Sequence, residues 1–238
     1  MVYTNLKLVA LDLDGTLTQH KTKLEDFNKR ALDRLSDKYK LVIIGAGSCN
    51  RIYEQINCYP IDIIGNYGMQ HSEVKNGQLI ITKDYSVAID IEDVNNRIER
   101  LRCLLGYTDY KGNSVEYHNS GMITFPLIGT GAILEQKLKF DPDRKKRRAI
   151  YSYVKEVFKE YTVFIGGTSS FDIVPPPFNK KFALDEYSKI YDYTKDNIIY
   201  IGDDYGIGGN DEQIYKSDIG FLCINDYKSF SRIIRNIL

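Results

Sequence analysis

Asp12 and Asp14 stand two positions apart in the stretch "KLVALDLDGTLT", residues 7–18, behind an apolar run and ahead of a glycine. A buried carboxylate is costly unless something compensates it. Residues two apart on an extended chain point to the same side, so two such acids would repel, and a cation is expected to join them. A second acidic group follows another apolar run: "IGDDYGIGGND" carries Asp203, Asp204 and, after glycines, Asp211. A few oxygen ligands with coordination positions left open suit Mg2+, which keeps waters and takes phosphate oxygens beside one or two carboxylates. The chemistry implied is phosphoryl transfer. Two unit charges 4 Å apart interact by roughly 4 kcal/mol at an effective dielectric of 20, so a phosphate dianion facing Asp12 would meet about twice that repulsion without a cation.

Such acids need a frame that brings distant segments to one edge. Three apolar runs, "LKLVALDL", "KLVIIGAG" and "PIDIIGN", occupy the first third, and the helical pattern "LEDFNKRALDRLSDKY" separates the first two. This order predicts a parallel sheet covered by helices on both faces, with the strand C-terminal ends along one edge. After Tyr67 the texture changes. "GQLIITKDY" and "SVEYHNSGMITFPLI" read as hairpin strands, while Val94, Ile98, Leu101 and Leu105, and then Ile150, Val154, Phe158 and Tyr161, recur at helical spacing. The middle portion is therefore expected to be an inserted α+β domain. From about Asn179 the alternation resumes with "KKFALDEYSKIYDY", "NIIYIGDD" and "IGFLCI", and "VPPPF" (174–178) serves as a stiff return hinge. The expected fold class is α/β, a doubly wound Rossmann-like parallel sheet core with an inserted α+β cap. Its expected boundaries are 1–84 and 178–238 for the core and 85–177 for the cap.

The 238 residues include 32 Lys+Arg and 32 Asp+Glu, so no bulk field gathers nucleic acid or an anionic membrane. Cys49, Cys58, Cys103 and Cys223 are scattered without a C-x-x-C pair, which argues against a zinc site or a disulfide framework. No leader and no membrane-spanning run is read, and a reducing, cytoplasmic setting is expected.

"LDLDGTLT" resembles the first motif of the haloacid dehalogenase (HAD) superfamily and "YIGDDYGIGGND" its fourth. More narrowly, "SFDIVPPPFNKKFAL" together with "GDDYGIGGND" is similar to the eukaryotic-type phosphomannomutase branch, and the match runs in order from Leu8 to about Ile214. The resemblance implies a HAD-like core and an aspartyl-phosphate intermediate. Asp12 would be the nucleophile. Asp14 would be general acid and base, its main-chain carbonyl binding Mg2+. Thr16 would order the turn. Asp203 would bind the metal directly, with Asp211 reaching it through water or supporting the direct ligands. Lys180, with Lys181 as the alternative, would neutralise the phosphoaspartate at a helix start. The family hydroxyl that holds a phosphate oxygen after the second strand falls on Ser48 or on Gly47.

In the cap, Ser170 and Asp172 match residues that contact sugar hydroxyls in the family. The family's phosphate-gripping arginines are missing: His118 and Thr130 stand in their places, and Lys21 replaces a further arginine after the first motif. Bidentate guanidinium recognition is thereby lost, so His118 and Asn119 are left as weaker donors and water becomes the expected acceptor. The expected activity is thus a sugar phosphatase on a small hexose phosphate, with a phosphohexomutase as the alternative. Two rivals use other chemistry: a nucleic-acid end phosphatase relying on "RKKRR" (144–148), and a non-catalytic phosphosugar sensor. "RKKRR" opens a helix with an apolar opposite face and is expected to be a solvated surface, with no nucleic-acid partner. The resemblance also implies a homodimer through the cap.

Overall fold

The computed structural model describes residues 5–238. Eleven strands and eight α-helices occur among them. The strands are β1 (Leu8–Leu11), β2 (Lys40–Ile44), β3 (Asp62–Gly65), β4 (Gln70–Lys75), β5 (Gln78–Asp84), β6 (Glu116–Tyr117), β7 (Ile123–Pro126), β8 (Thr162–Gly166), β9 (Ser170–Val174), β10 (Ile198–Gly202) and β11 (Gly220–Cys223). The helices are α1 (Asp26–Ser36), α2 (Cys49–Gln55), α3 (Ile91–Leu105), α4 (Leu134–Phe140), α5 (Lys145–Val157), α6 (Lys180–Ile190), α7 (Glu212–Tyr215) and α8 (Phe230–Ile233). The chain divides into two compact units. One holds the described residues through Asp84 with 179–206 and 211–238; the other holds 85–178 with 207–210.

The first unit is built on a seven-stranded sheet in the order β11-β10-β1-β2-β3-β4-β5. Its first five strands are parallel, and β4 and β5 are antiparallel. Alternation along the strands sorts their side chains into two layers. Val9, Leu11, Ile43 and Ile201 pack with Ala31 and Leu35 of α1 and Ile52 of α2, while Leu8, Ala10, Val42 and Tyr200 pack with Ala183 and Leu184 of α6. Successive connections lead from β1 outward through β2 and β3 on one side and from α6 into β10 on the other. The order of the strands therefore reverses between β1 and β10, where open α/β sheets place their ligands. "GQLIITKDY" falls in β5, at the far edge of this sheet. It extends the core through the β4–β5 hairpin rather than opening the inserted portion, because its register follows β4.

The second unit is a four-stranded antiparallel sheet, β6-β7-β9-β8, carrying α3 and α5 on one face. Val94, Ile98 and Leu101 of α3 and Val154 of α5 pack against Ile123, Phe125, Val163, Ile165, Phe171 and Ile173. Asp90 caps α3 by accepting from the Asp93 N–H at 3.0 Å, and Gly106 closes it in the left-handed conformation.

In the "RKKRR" run Lys145, Lys146 and Arg148 are exposed, as a solvated face requires, and Arg147 is the departure. Arg147 is 1% exposed. Its Nε donates to Asp141 Oδ2 at 2.8 Å, and its Nη1 donates to the carbonyls of Gly166 at 2.7 Å and Gly167 at 3.0 Å. The tight β8–β9 turn leaves carbonyls without strand partners, and a guanidinium supplies the donors they need. Burial alone would raise the Asp141 carboxyl, but the Arg147 guanidinium and two main-chain N–H donors outweigh it and hold the group below its ordinary value.

Asp141→Asn should therefore destabilise the protein by about 3–5 kcal/mol at pH 7, because it removes the carboxylate that faces a buried guanidinium. The folded-state value is depressed, so the contribution is complete above the unfolded-state range near ~4 and is lost as pH falls through the lowered value. Urea unfolding of wild type and variant between pH 7 and pH 3 should show the two converging toward the acid end.

Candidate active site

Strand β1 ends at Leu11, and Asp12 follows it at 5% exposure with its N–H donating to the Ile201 carbonyl of β10 at 2.9 Å. The chain then turns tightly, with Gly15 at φ +98°. A Cβ on Gly15 would lie 2.6 Å from the Asp203 carboxylate, so the glycine is required both by conformation and by the approach of β10's acid. Thr16 is fully buried in this turn, and its hydroxyl lies a long 3.5 Å from Asp203 Oδ1.

Helix α6 begins at Lys180, one residue after Asn179, whose side chain caps the helix by accepting from the Phe182 N–H at 2.8 Å. That start fixes the direction of the Lys180 side chain. Its ammonium, in a residue of 0% exposure, donates to Asp12 Oδ1 at 2.6 Å and to Asp211 Oδ1 at 2.8 Å. Lys181, the alternative, instead reaches Asp185 along the helix. Asp211 is fully buried. Its Oδ1 also accepts from the Tyr200 hydroxyl at 2.7 Å, and its Oδ2 accepts from the Asp204 N–H at 3.1 Å.

Among the described residues, one carboxylate oxygen each from Asp12, Asp203 and Asp211 lie within 4.8 Å of one another. Three acids thus face one ammonium. Burial pushes the Asp12 carboxyl well up; Lys180 pulls it down, and the charges of Asp211 and Asp203 push it up again. Burial would lower the Lys180 ammonium, but Asp12 and Asp211 outweigh it and keep the group above its ordinary value. The Lys180 side chain pairs with two of the three acids, which leaves negative charge crowded around Asp12. An all-oxygen donor set with excess negative charge fits a hard divalent cation.

The Asp14 carboxyl group is not part of that cluster, contrary to the expectation that a cation joins it to Asp12. The turn after Leu11 carries it toward α2. There Oδ1 accepts from the Lys21 N–H and from Gln55 Nε2, each at 2.7 Å, and Oδ2 lies 3.5 Å from Arg51 Nη2. Burial raises this carboxyl, yet Arg51, His20 and the two hydrogen bonds outweigh it and hold it below the ordinary range. Ser48 is the N-cap of α2, its hydroxyl accepting from the Arg51 N–H at 3.3 Å. Gly47 precedes it, and the space a Cβ would need there is filled by the Arg51 guanidinium.

The remaining candidates lie in the second unit. His118 Nε2 and Thr124 Oγ1 are 3.0 Å apart, and that hydroxyl donates to Asp172 Oδ1 at 3.2 Å, giving a polar chain on the sheet face opposite α3 and α5. Ser170 shares that side of β9 and donates to the Gly166 carbonyl at 3.0 Å. Asn119 has an exposed side chain. Its carbonyl accepts from the Ser86 hydroxyl at 2.8 Å. Thr130 caps a loop, accepting from the Asn113 N–H. Four participants were not singled out from the sequence: Tyr200, Gln55, Arg51 and Thr124. Tyr200 is the one hydroxyl in an otherwise apolar strand, and Arg51 and Gln55 stand one helical turn apart on α2, signals that were present in the residue pattern.

Fold and site together define a HAD-superfamily protein. The family model for eukaryotic phosphomannomutase matches residues 28–238, and the chain belongs to that family. Asp12 and Asp14 lie ahead of the matched stretch, so their placement rests on the geometry above. Phosphomannomutase 1 of Dictyostelium discoideum is 29% identical over 227 residues, covering 87% of this chain and 86% of the relative. Phosphomannomutase 1 of Homo sapiens is 24% identical over 221 residues, covering 87% and 82%. Among solved structures, the fold is similar to an N-terminally truncated Plasmodium falciparum IMP-nucleotidase, with a TM-score of 0.70 and 17% identity over 99% of this chain and 71% of that one. A trehalose-6-phosphate phosphatase related protein matches at a TM-score of 0.54 and 16% identity over 97% and 96%.

Tyr200→Phe should lower stability by about 1.5–3 kcal/mol, the worth of a hydrogen bond to a charged group, as read by urea unfolding. A change below about 0.5 kcal/mol would mean that Asp211 does not depend on this donor.

Proposed function

We propose that this protein transfers phosphoryl groups on a hexose phosphate through an aspartyl phosphate on Asp12, and that it isomerises its substrate by way of a bisphosphorylated sugar. The observation that carries the reading is the buried Lys180 ammonium held between Asp12 and Asp211. Family membership supports isomerisation over the hydrolysis expected from the cap.

In this reading an Asp12 oxygen attacks phosphorus and the bond from phosphorus to the sugar oxygen breaks. Asp14, as a carboxylate, takes the proton of the accepting hydroxyl when the phosphoryl group passes to the sugar, and gives that same proton to the leaving sugar oxygen when the other phosphate moves to Asp12. The Asp14 hydrogen bonds to Gln55 and the Lys21 N–H hold the carboxyl group in one orientation for both halves. Lys180 keeps the Asp12 oxygen aimed and offsets the charge that collects there. Asp12 and Asp203, with Asp211 and the Asp14 main-chain carbonyl, would hold Mg2+, which supplies charge neutralisation between the phosphate and the carboxylates. Ser170, Asp172, His118 and Asn119 are proposed to contact sugar hydroxyls.

Hydrolysis remains the second reading, favoured by His118 and Thr130 in the places of cap arginines. With Mg2+, a hexose 1-phosphate and a trace of hexose bisphosphate, phosphorus NMR should show a second hexose phosphate forming without accumulation of free phosphate. Free phosphate rising in step with substrate loss would select hydrolysis. Asp12→Asn should reduce turnover by roughly a thousandfold or more, and EDTA should abolish it until Mg2+ is restored.

A further inference from the structure

The loop after β2 must meet an anion if the site handles phosphate, and its side chains are few. Ser48 is engaged as the cap of α2. Gly47 carries no hydroxyl, and an ideal Cβ there would lie 2.1 Å from both Nε and Nη2 of Arg51, so a side chain at this position would have to displace the guanidinium. The guanidinium thus covers the place where a side chain at position 47 would project.

Arg51 is not consumed by its protein partners. Its Nη1 donates to Gln55 Oε1 at 2.8 Å, a sound hydrogen bond, but its approach to Asp14 Oδ2 is 3.5 Å, well beyond the ~2.7–2.9 Å of a charge-assisted one. Asp14 has two better donors on its other oxygen, in Gln55 and the Lys21 N–H. The Arg51 side chain is 35% exposed, and a guanidinium offers five N–H donors in a planar fork. A phosphate oxygen beside Asp14 would be a better acceptor than the carboxylate oxygen now at long range.

We infer that Arg51 binds a phosphate oxygen of the substrate, taking at the β2 side of the site the anion-holding role that the resemblance gives to a hydroxyl. This rests on the phosphoryl-transfer reading. The phosphate is either the group being transferred or the second phosphate of a bisphosphorylated sugar; both present the same monoester oxygens.

The test compares Arg51→Gln, Arg51→Lys and Ser48→Ala with wild type, all in the presence of Mg2+. Calorimetry reads the affinity for inorganic phosphate, kinetics reads KM and kcat for a hexose monophosphate and a hexose bisphosphate, and a thermal melt checks folding. Arg51→Gln should weaken phosphate binding and raise KM by roughly tenfold or more, as expected for losing a hydrogen bond to a charged group. Arg51→Lys should restore part of the loss, and the melt should not move. Weakening for inorganic phosphate and monophosphate assigns Arg51 to the transferred group; weakening for the bisphosphate alone assigns it to the remote one. The inference is overturned if affinity and KM stay put while only kcat falls, since Arg51 would then act only by holding Asp14. It is overturned too if Ser48→Ala produces the loss and Arg51→Gln does not. Should the wild type turn over no hexose phosphate, the functional reading fails by itself, and calorimetric affinities for inorganic phosphate and for the hexose bisphosphate still decide the role of Arg51.

Discussion

The site depends on one buried ammonium. Lys180 sits at zero exposure with hydrogen bonds of 2.6 and 2.8 Å to Asp12 and Asp211, two acids separated by most of the chain. Removing such a charge from water is tolerable only with close partners of opposite sign, so the three groups hold one another in place. Each is also fixed from its own element: Asp12 by its N–H on β10, Lys180 by the capped start of α6, Asp211 by Tyr200 and the Asp204 N–H. The cluster still carries more acid than base, and that imbalance is why it is suited to a divalent cation and, through it, to phosphate.

The sheet order makes this meeting possible. With β10 and β2 flanking β1, the reversal of winding opens the crevice beside Asp12 and lets acids from both ends of the chain share it. The turn after β1 then separates the two acids of the first motif. Asp12 stays with Lys180, and Asp14 goes to Gln55 and Arg51. One carboxylate is aimed at an ammonium and crowded by other acids; the other accepts hydrogen bonds from Gln55 and the Lys21 N–H. Two acids two residues apart thereby acquire different surroundings, and it would take a divalent cation beside Asp12 to turn the crowded carboxyl into the ionised nucleophile that the proposed chemistry needs.

Much of this was legible in the residues. The apolar runs with intervening helical periods gave away the split α/β core, because buried parallel strands cannot disguise their continuous apolar character. Asp12, Asp203 and Asp211 could be placed from the apolar runs ahead of them, whereas Lys180 is singled out only by the family resemblance, with Lys181 beside it as the alternative. The partner of the Asp14 carboxyl could not. Alternation along an extended strand predicts a side only while the strand continues, and β1 stops at Leu11. The burial of Arg147 was equally out of reach, since the carbonyls it satisfies belong to a turn about twenty residues away in another hairpin. Tyr200 reads as one more β-former until the fold brings Asp211 over its hydroxyl.

The central claim is that the carboxylate held by Lys180 is the one that accepts the phosphoryl group. Incubation with a hexose bisphosphate and Mg2+, rapid acid quench and peptide mapping by mass spectrometry address it directly. The account predicts phosphate on the peptide bearing Asp12, removable by hydroxylamine as an acyl phosphate is. Phosphate on another residue, or turnover with no phosphorylated peptide trapped at any time, would contradict it.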